Sequence, residues 1–147
     1  MSTSTLEVLT IQQMALLSGL SEHTLRYYER IGLIEPIPRH ESSGHRRYSA
    51  DTVRIIEGLS CLRKTGLSIE DMRRFIELRK YGAPAAAEQR KLFMEHRDRI
   101  DREIEDLKIR RNYLDGKVAY WDAIQAGDDE RARRIGQQNA ELAKKLK

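Results

Sequence analysis

Apolar residues recur along this chain at two different spacings. In the first half they form short clusters with a step of three or four residues, each bounded by a capping residue and a glycine. Ile11, Met14, Ala15 and Leu17 give one such stripe, opened by Thr10 and Gln13 in capping-box spacing and stopped by Gly19. Ser21 caps a second helix that runs to about Ile31, with Gly32 as its stop. Two short helices joined by a turn of a few residues predict a helix-turn-helix. The pattern then changes. Leu33 and Ile34 read as a short strand, Pro36 and Pro38 keep the chain extended, and Ser42, Ser43 and Gly44 read as a turn. A second strand over His45 to Tyr48 completes a small wing. Ser49 caps a third helix ending near Lys64. Ser68 with Asp71 caps a fourth, to about Arg79, with Ile69, Met72, Phe75 and Ile76 as its apolar face.

The second spacing begins after the break at Tyr81 to Pro84. Phe93, Ile100, Leu107, Leu114 and Trp121 recur every seven residues, and Ile104 and Val118 fill offset positions shared with Arg97 and Arg111. This predicts one helix over roughly 85 to 125 with a coiled-coil seam. From 93 to 121 the rise is roughly 40 Å, more than a small domain covers alone. A second copy of the same helix is the simplest partner, hence a homodimer. Gly116 reads as an outer-face residue that costs about 1 kcal/mol of helix propensity and blocks no packing. After Gly127, a short terminal helix carries Ala132, Ile135, Leu142 and Leu146 and is expected to pack back on the dimer. The predicted fold is mainly α: a winged helix-turn-helix over 1–82, a dimerisation helix over 83–126 and a short C-terminal helix over 127–147.

Charge adds little to this picture in bulk. The net charge is +4, with 12 Lys/Arg against 10 Asp/Glu in residues 1–82 and 15 against 13 in residues 83–147. The excess is spread evenly, so any nucleic-acid recognition depends on local placement. Cys61 is the only cysteine, which excludes an internal disulfide and a four-thiolate metal site. The N-terminal stretch lacks a basic and an apolar region of export-signal type, and no run approaches 18 apolar residues. A cytoplasmic protein with no membrane segment is expected. There is no Gly-rich phosphate loop, no metal-ligand pair and no nucleophile–base pair, so neither an enzyme nor a cofactor is expected.

Local placement favours DNA. On the second helix, Leu25 and Ile31 face inward, leaving His23, Thr24, Arg26 and Tyr27 outward near the helix start, the part that enters the major groove in a helix-turn-helix. The arginine fork suits a guanine edge or a phosphate, and Ser, Thr and Tyr hydroxyls are phosphate ligands. The wing brings Arg39, Arg46, Arg47 and Tyr48 to the flanking backbone. Arg30 with Glu29 reads as a solvated surface pair. Tyr28 reads equally well as a core aromatic with a wet hydroxyl.

The segments LTIQQMALLSGLSEHTLRYYERIGLIEP, GHRRYS and KTGLSIEDMRRFIEL resemble the MerR family of bacterial transcription regulators. The resemblance covers the whole chain and is strongest over residues 9–80. It implies a winged helix-turn-helix with two further helices, then an antiparallel dimeric coiled coil. It also implies a pseudo-palindromic operator in double-stranded promoter DNA, bent and untwisted by the activated dimer so that RNA polymerase can use it. By motif position, Thr24, Arg26 and Tyr27 are candidates for the groove or its phosphates, and Tyr28, Arg46, Arg47 and Tyr48 for the backbone; Ser21, His23 and Arg39 join the candidate set by their place on the reading helix and the wing. The dimer seam is Phe93, Ile100, Ile104, Leu107, Leu114, Val118 and Trp121.

The signal is less legible. The metal-sensing and superoxide-sensing branches use cysteines that this chain lacks, and its four histidines show no ligand spacing. On the third helix Ile55, Leu59 and Leu62 define the inner stripe. Cys61 lies roughly 130° from its centre, beside Arg54, Glu57, Gly58, Lys64 and Thr65. It is either a small packing residue or the candidate effector site for an aldehyde, electrophile or oxidant, as in a branch of the family with a lone cysteine and a short C-terminus. A non-covalent small-molecule sensor with a pocket near Tyr81, Phe93, Tyr113, Tyr120 and Trp121 is the alternative, and an architectural DNA-binding protein is the rival from another class.

Overall fold

The computed structural model describes residues 8–146 of the chain. Most of the N-terminal stretch read above for export signals lies outside the described residues. No helix among them is long and apolar enough to cross a membrane. The fold is mainly α, with six helices and no strand among the described residues: α1 (Ile11–Ser18), α2 (Glu22–Arg30), α3 (Ala50–Lys64), α4 (Ile69–Arg79), α5 (Ala86–Gln125) and α6 (Asp129–Ala143). A 3-10 turn over Ala83–Ala85 leads into α5. The chain divides into two compact units, 1–92 and 93–147.

In the first unit, local chemistry sets the helix starts. Thr10 Oγ1 accepts from the Gln13 amide at 3.2 Å while the Gln13 side chain accepts from the Thr10 amide at 2.9 Å. Ser21, Ser49 and Ser68 each accept from the amide three residues on. The core gathers Met14, Leu25, Tyr28, Leu33, Tyr48, Ile56, Leu59 and Met72. One polar stitch runs through it. Ser60 Oγ on α3 donates to the Ser18 carbonyl at 2.6 Å, and Ser18 Oγ donates to the Met14 carbonyl at 2.7 Å. The end of α1 is thereby fixed to α3. The 3-10 turn and the first turns of α5 belong to this unit as well: Gln89 donates to the Phe75 carbonyl at 3.0 Å, Arg74 pairs with Glu88, and Ala85 and Leu92 are buried.

The wing departs from the expected pair of strands. Gly32, at φ 73°, reverses the chain after α2. The Leu33 and Ile34 amides then both donate to the Tyr28 carbonyl, at 2.9 and 3.3 Å, and their side chains drop into the core. They close α2 rather than start a strand. Beyond them, Pro36 and Pro38 have no amide to give to a ladder. What forms is two isolated antiparallel bridges, Arg39 with Arg46 and Leu9 with Tyr48. The pairing of Leu9 with Tyr48 in both directions, at 3.1 and 2.9 Å, anchors the returning limb.

In the second unit, α6 folds back on α5 through small residues. Ala123 and Ala132 are buried at the turn end, and Asn139 is buried further along. Asn139 Nδ2 donates to the Gly116 carbonyl at 2.9 Å. A Cβ on Gly116 would stand 2.0 Å from Asn139 Oδ1. Gly116 is therefore a close-approach position beneath α6 and not the outer-face residue expected. Ile104, Leu107, Leu114, Val118 and Trp121 are all exposed, the last three by 61%, 62% and 63%.

Candidate nucleic-acid interface

Helix α2 presents the predicted reading face. Ser21 caps it, and its hydroxyl also donates to Thr24 Oγ1 at 2.9 Å, so both hydroxyls order the helix start. His23 and Arg26 are exposed, and Tyr27 is half-buried. Arg26 lies 3.6 Å from Glu22 one turn back, an exposed pair that leaves the guanidinium free to move. Arg30 does not pair with Glu29 as expected. Its guanidinium stacks over the Tyr27 ring at 5.3 Å, which holds that ring against the outer face of the helix.

The two other aromatics expected at the DNA backbone are placed differently. Tyr28 is 2% exposed, and the Arg63 charge of α3 acts on its hydroxyl. Burial raises its pKa, offset in part by that arginine. Tyr48 is wholly buried, and its hydroxyl has no partner among the described residues. Burial raises its pKa too, with Arg46 opposing the shift. Both are core aromatics beneath the reading face, because the inward step of α2 and the inward side of the wing put them there.

The wing arginines separate in the same way. Arg39 donates to the Gly44 carbonyl across the turn at 3.3 Å, and the His40 ring accepts from the Ser42 amide at 3.2 Å. Arg47 is exposed. Arg46 is 18% exposed and its Nε donates to Glu29 Oε1 at 3.0 Å. That contact joins α2 to the wing, and the sequence reading missed it. The two residues are 17 positions apart in irregular chain, where no period gives a signal. Among the described residues no cluster of three or more His, Cys, Asp and Glu side chains is placed to hold a metal ion.

Comparison with known proteins decides what this arrangement is. Residues 9–78 match the MerR HTH family regulatory protein, and residues 56–117 match the MerR DNA-binding family. An HTH-type transcriptional regulator of Haemophilus influenzae is 32% identical over 108 residues, 74% of this chain and 79% of that protein. The chain belongs to the MerR family. It is a DNA-binding transcriptional regulator, and its relatives are regulators rather than enzymes. AdhR, an HTH-type regulator of Bacillus subtilis, is 37% identical over 92 residues, 63% of this chain and 65% of that one. Among solved structures, a MerR family regulator from Listeria monocytogenes superposes with a TM-score of 0.67 at 32% identity, covering 88% of this chain and 98% of that one. HiNmlR, a MerR family regulator lacking the sensor domain and solved bound to promoter DNA, gives 0.61 at 30% identity, covering 81% and 94%.

In this MerR regulator Cys61 is exposed on α3. Its neighbour Ser60 is structural and holds the end of α1. Of the aromatic group read as a possible pocket, Tyr81 and Trp121 are exposed, and Tyr113 and Tyr120 lie on the side of α5 that faces α6.

Proposed function

We propose that this MerR regulator works as a homodimer that reads a pseudo-palindromic operator in promoter DNA and changes its geometry for RNA polymerase when Cys61 meets an electrophile or oxidant. The observation that carries the reading is the unpartnered heptad face of α5, at positions 104, 107, 114, 118 and 121, on the same chain as a reading helix with exposed His23 and Arg26. One reading helix recognises a half-site, and two copies read half-sites one helical turn, about 34–36 Å, or a multiple of it apart. Bending such a site costs about 1–6 kcal/mol on elastic estimates, so a change in how firmly the dimer grips its two halves changes the DNA geometry it sustains. His23, Thr24, Arg26 and Tyr27 serve the groove and its phosphates, and Arg39 and Arg47 serve the flanking backbone. Tyr28 and Tyr48 support these elements from beneath. Cys61 suits a signal because its neighbour Ser60 ties α3 to the end of α1, the first helix of the reading motif.

Binding to the DNA upstream of the protein's own gene tests the first part. Arg26→Ala is expected to weaken it by about 1–3 kcal/mol at fixed salt; unchanged affinity overturns the groove assignment. Transcription from that promoter, with and without an added aldehyde, tests the second. The response is expected to vanish in Cys61→Ser, and a response of wild-type size removes Cys61 as the sensor.

A further inference from the structure

The three wing arginines look alike in the sequence, but the fold assigns them different work. On an extended limb alternate side chains face opposite sides. Arg46 and Tyr48 point inward, 18% and 0% exposed, and Arg47 between them is exposed. Arg46 Nε meets Glu29 Oε1 at 3.0 Å, and the Glu29 side chain is 17% exposed. Tyr48 is wholly buried, and both charges act on its phenol, Arg46 lowering its pKa and Glu29 raising it. The Arg46 Nε donor is thus directed at the protein, not at DNA. A carboxylate near a DNA-facing surface repels phosphate unless it does something else. Here it joins the last turn of α2 to the returning limb of a wing whose backbone supplies only two isolated bridges.

We propose that Glu29 is a positioning residue for DNA binding: with Arg46 it pins the wing to the reading helix, and Arg47 makes the wing's phosphate contact. The proposal rests on the reading of α2 and the wing as the DNA face. Its sign separates it from simple electrostatics. Removing the Glu29 charge strengthens DNA binding if charge alone matters, and weakens it if the pin holds the wing in its binding position. If loss of the pin leaves about a tenth of molecules with the wing docked, the affinity falls about tenfold.

The test compares wild type, Glu29→Ala, Arg46→Ala, Arg47→Ala and the double variant Glu29→Ala/Arg46→Ala by titration onto the promoter DNA over a range of salt. Alanine suits a helix, so Glu29→Ala does not oppose α2. Expected are similar losses for Glu29→Ala, Arg46→Ala and the double variant, with the wild-type salt slope kept. Arg47→Ala is expected to lose about 0.9 of slope, the loss of one phosphate contact. Tighter binding by Glu29→Ala, or a slope reduced by about 0.9 in Arg46→Ala, overturns the pin. Amide exchange in free protein reads the pin without DNA. The His40 and Arg47 amides, bonded to the His45 and Pro38 carbonyls at 2.8 Å, are expected to exchange at least about tenfold faster in either single variant. Wild-type exchange in both overturns the proposal. Failure of wild type to bind the DNA, with fast exchange in the variants, sinks the DNA face and leaves the pin standing.

Discussion

Two tyrosines of the first unit are buried with different surroundings for their hydroxyls. The Tyr28 hydroxyl feels the Arg63 charge, whereas the Tyr48 hydroxyl has no partner among the described residues. Both pKa values are raised above 10.0, chiefly by burial, so the folded protein keeps these phenols neutral where an unfolded chain has lost the proton. The sign follows from proton counting. Below pH 10 the two groups leave stability unchanged; as pH rises above it, the unfolded state binds fewer protons and stability falls. Alkaline titration followed by phenolate absorbance is expected to show a late component, reduced in Tyr28→Phe and in Tyr48→Phe. Tyr48→Phe also removes an unsatisfied buried oxygen, which costs about 1–3 kcal/mol. It is expected to raise the melting temperature while leaving promoter binding unchanged. A loss of DNA affinity in Tyr48→Phe shows instead that its hydroxyl reaches phosphate when DNA is bound. At this scale the sequence is legible where chemistry is local. Thr10, Ser21, Ser49 and Ser68 all cap as their spacing predicts. Glu29 with Arg46 is not legible, because the partner is set by how the wing returns.

At the scale of elements, the α5–α6 hairpin depends on a residue whose role periodicity conceals. Gly116 breaks no heptad, and on a wheel it sits away from the seam, which is why it reads as solvent-facing. It instead faces a second helix of the same chain, and Asn139 lies against it. Two effects compete in Gly116→Ala. Alanine favours helix by about 1 kcal/mol. Its methyl displaces a buried amide, and a lost hydrogen bond with an unsatisfied buried group costs about 1–3 kcal/mol. The second is expected to win, so Gly116→Ala lowers thermal stability. Adding Asn139→Ala removes the obstacle and the stranded amide, so the double variant is expected to be more stable than Gly116→Ala alone. Equal losses from the two changes, summed in the double variant, contradict the clash. The wing teaches a related lesson. A β-pattern over Leu33 and Ile34 was a pattern of burial, and two prolines in the following segment removed the amides a strand requires.

At the scale of the whole molecule, the seven-residue repeat bears on how two copies pair. Three of the five residues of the seven-residue repeat are exposed in the single chain, Leu107 at 57%, Leu114 at 61% and Trp121 at 63%, while Phe93 and Ile100 are half-buried. Fully burying a leucine gains about 1.5–3 kcal/mol, so a row of them is a strong reason to pair. Leu107 lies midway between Phe93 and Trp121 in the repeat. In a symmetric pair it faces its own copy whichever way the helices run. Leu107→Glu therefore places two carboxylates together in the dimer, and sedimentation is expected to show a monomer with much weaker operator binding. A dimer that survives the change puts the interface elsewhere. Direction needs the ends of the seam. In an antiparallel pair Phe93 approaches Trp121 of the other copy; in a parallel pair Trp121 approaches itself. In a Cys61→Ser background, Trp121→Cys alone is expected to resist oxidative cross-linking, whereas Phe93→Cys with Trp121→Cys is expected to give a covalent dimer. Cross-linking by Trp121→Cys alone reverses the helix direction, and with it the spacing of the two reading helices on DNA.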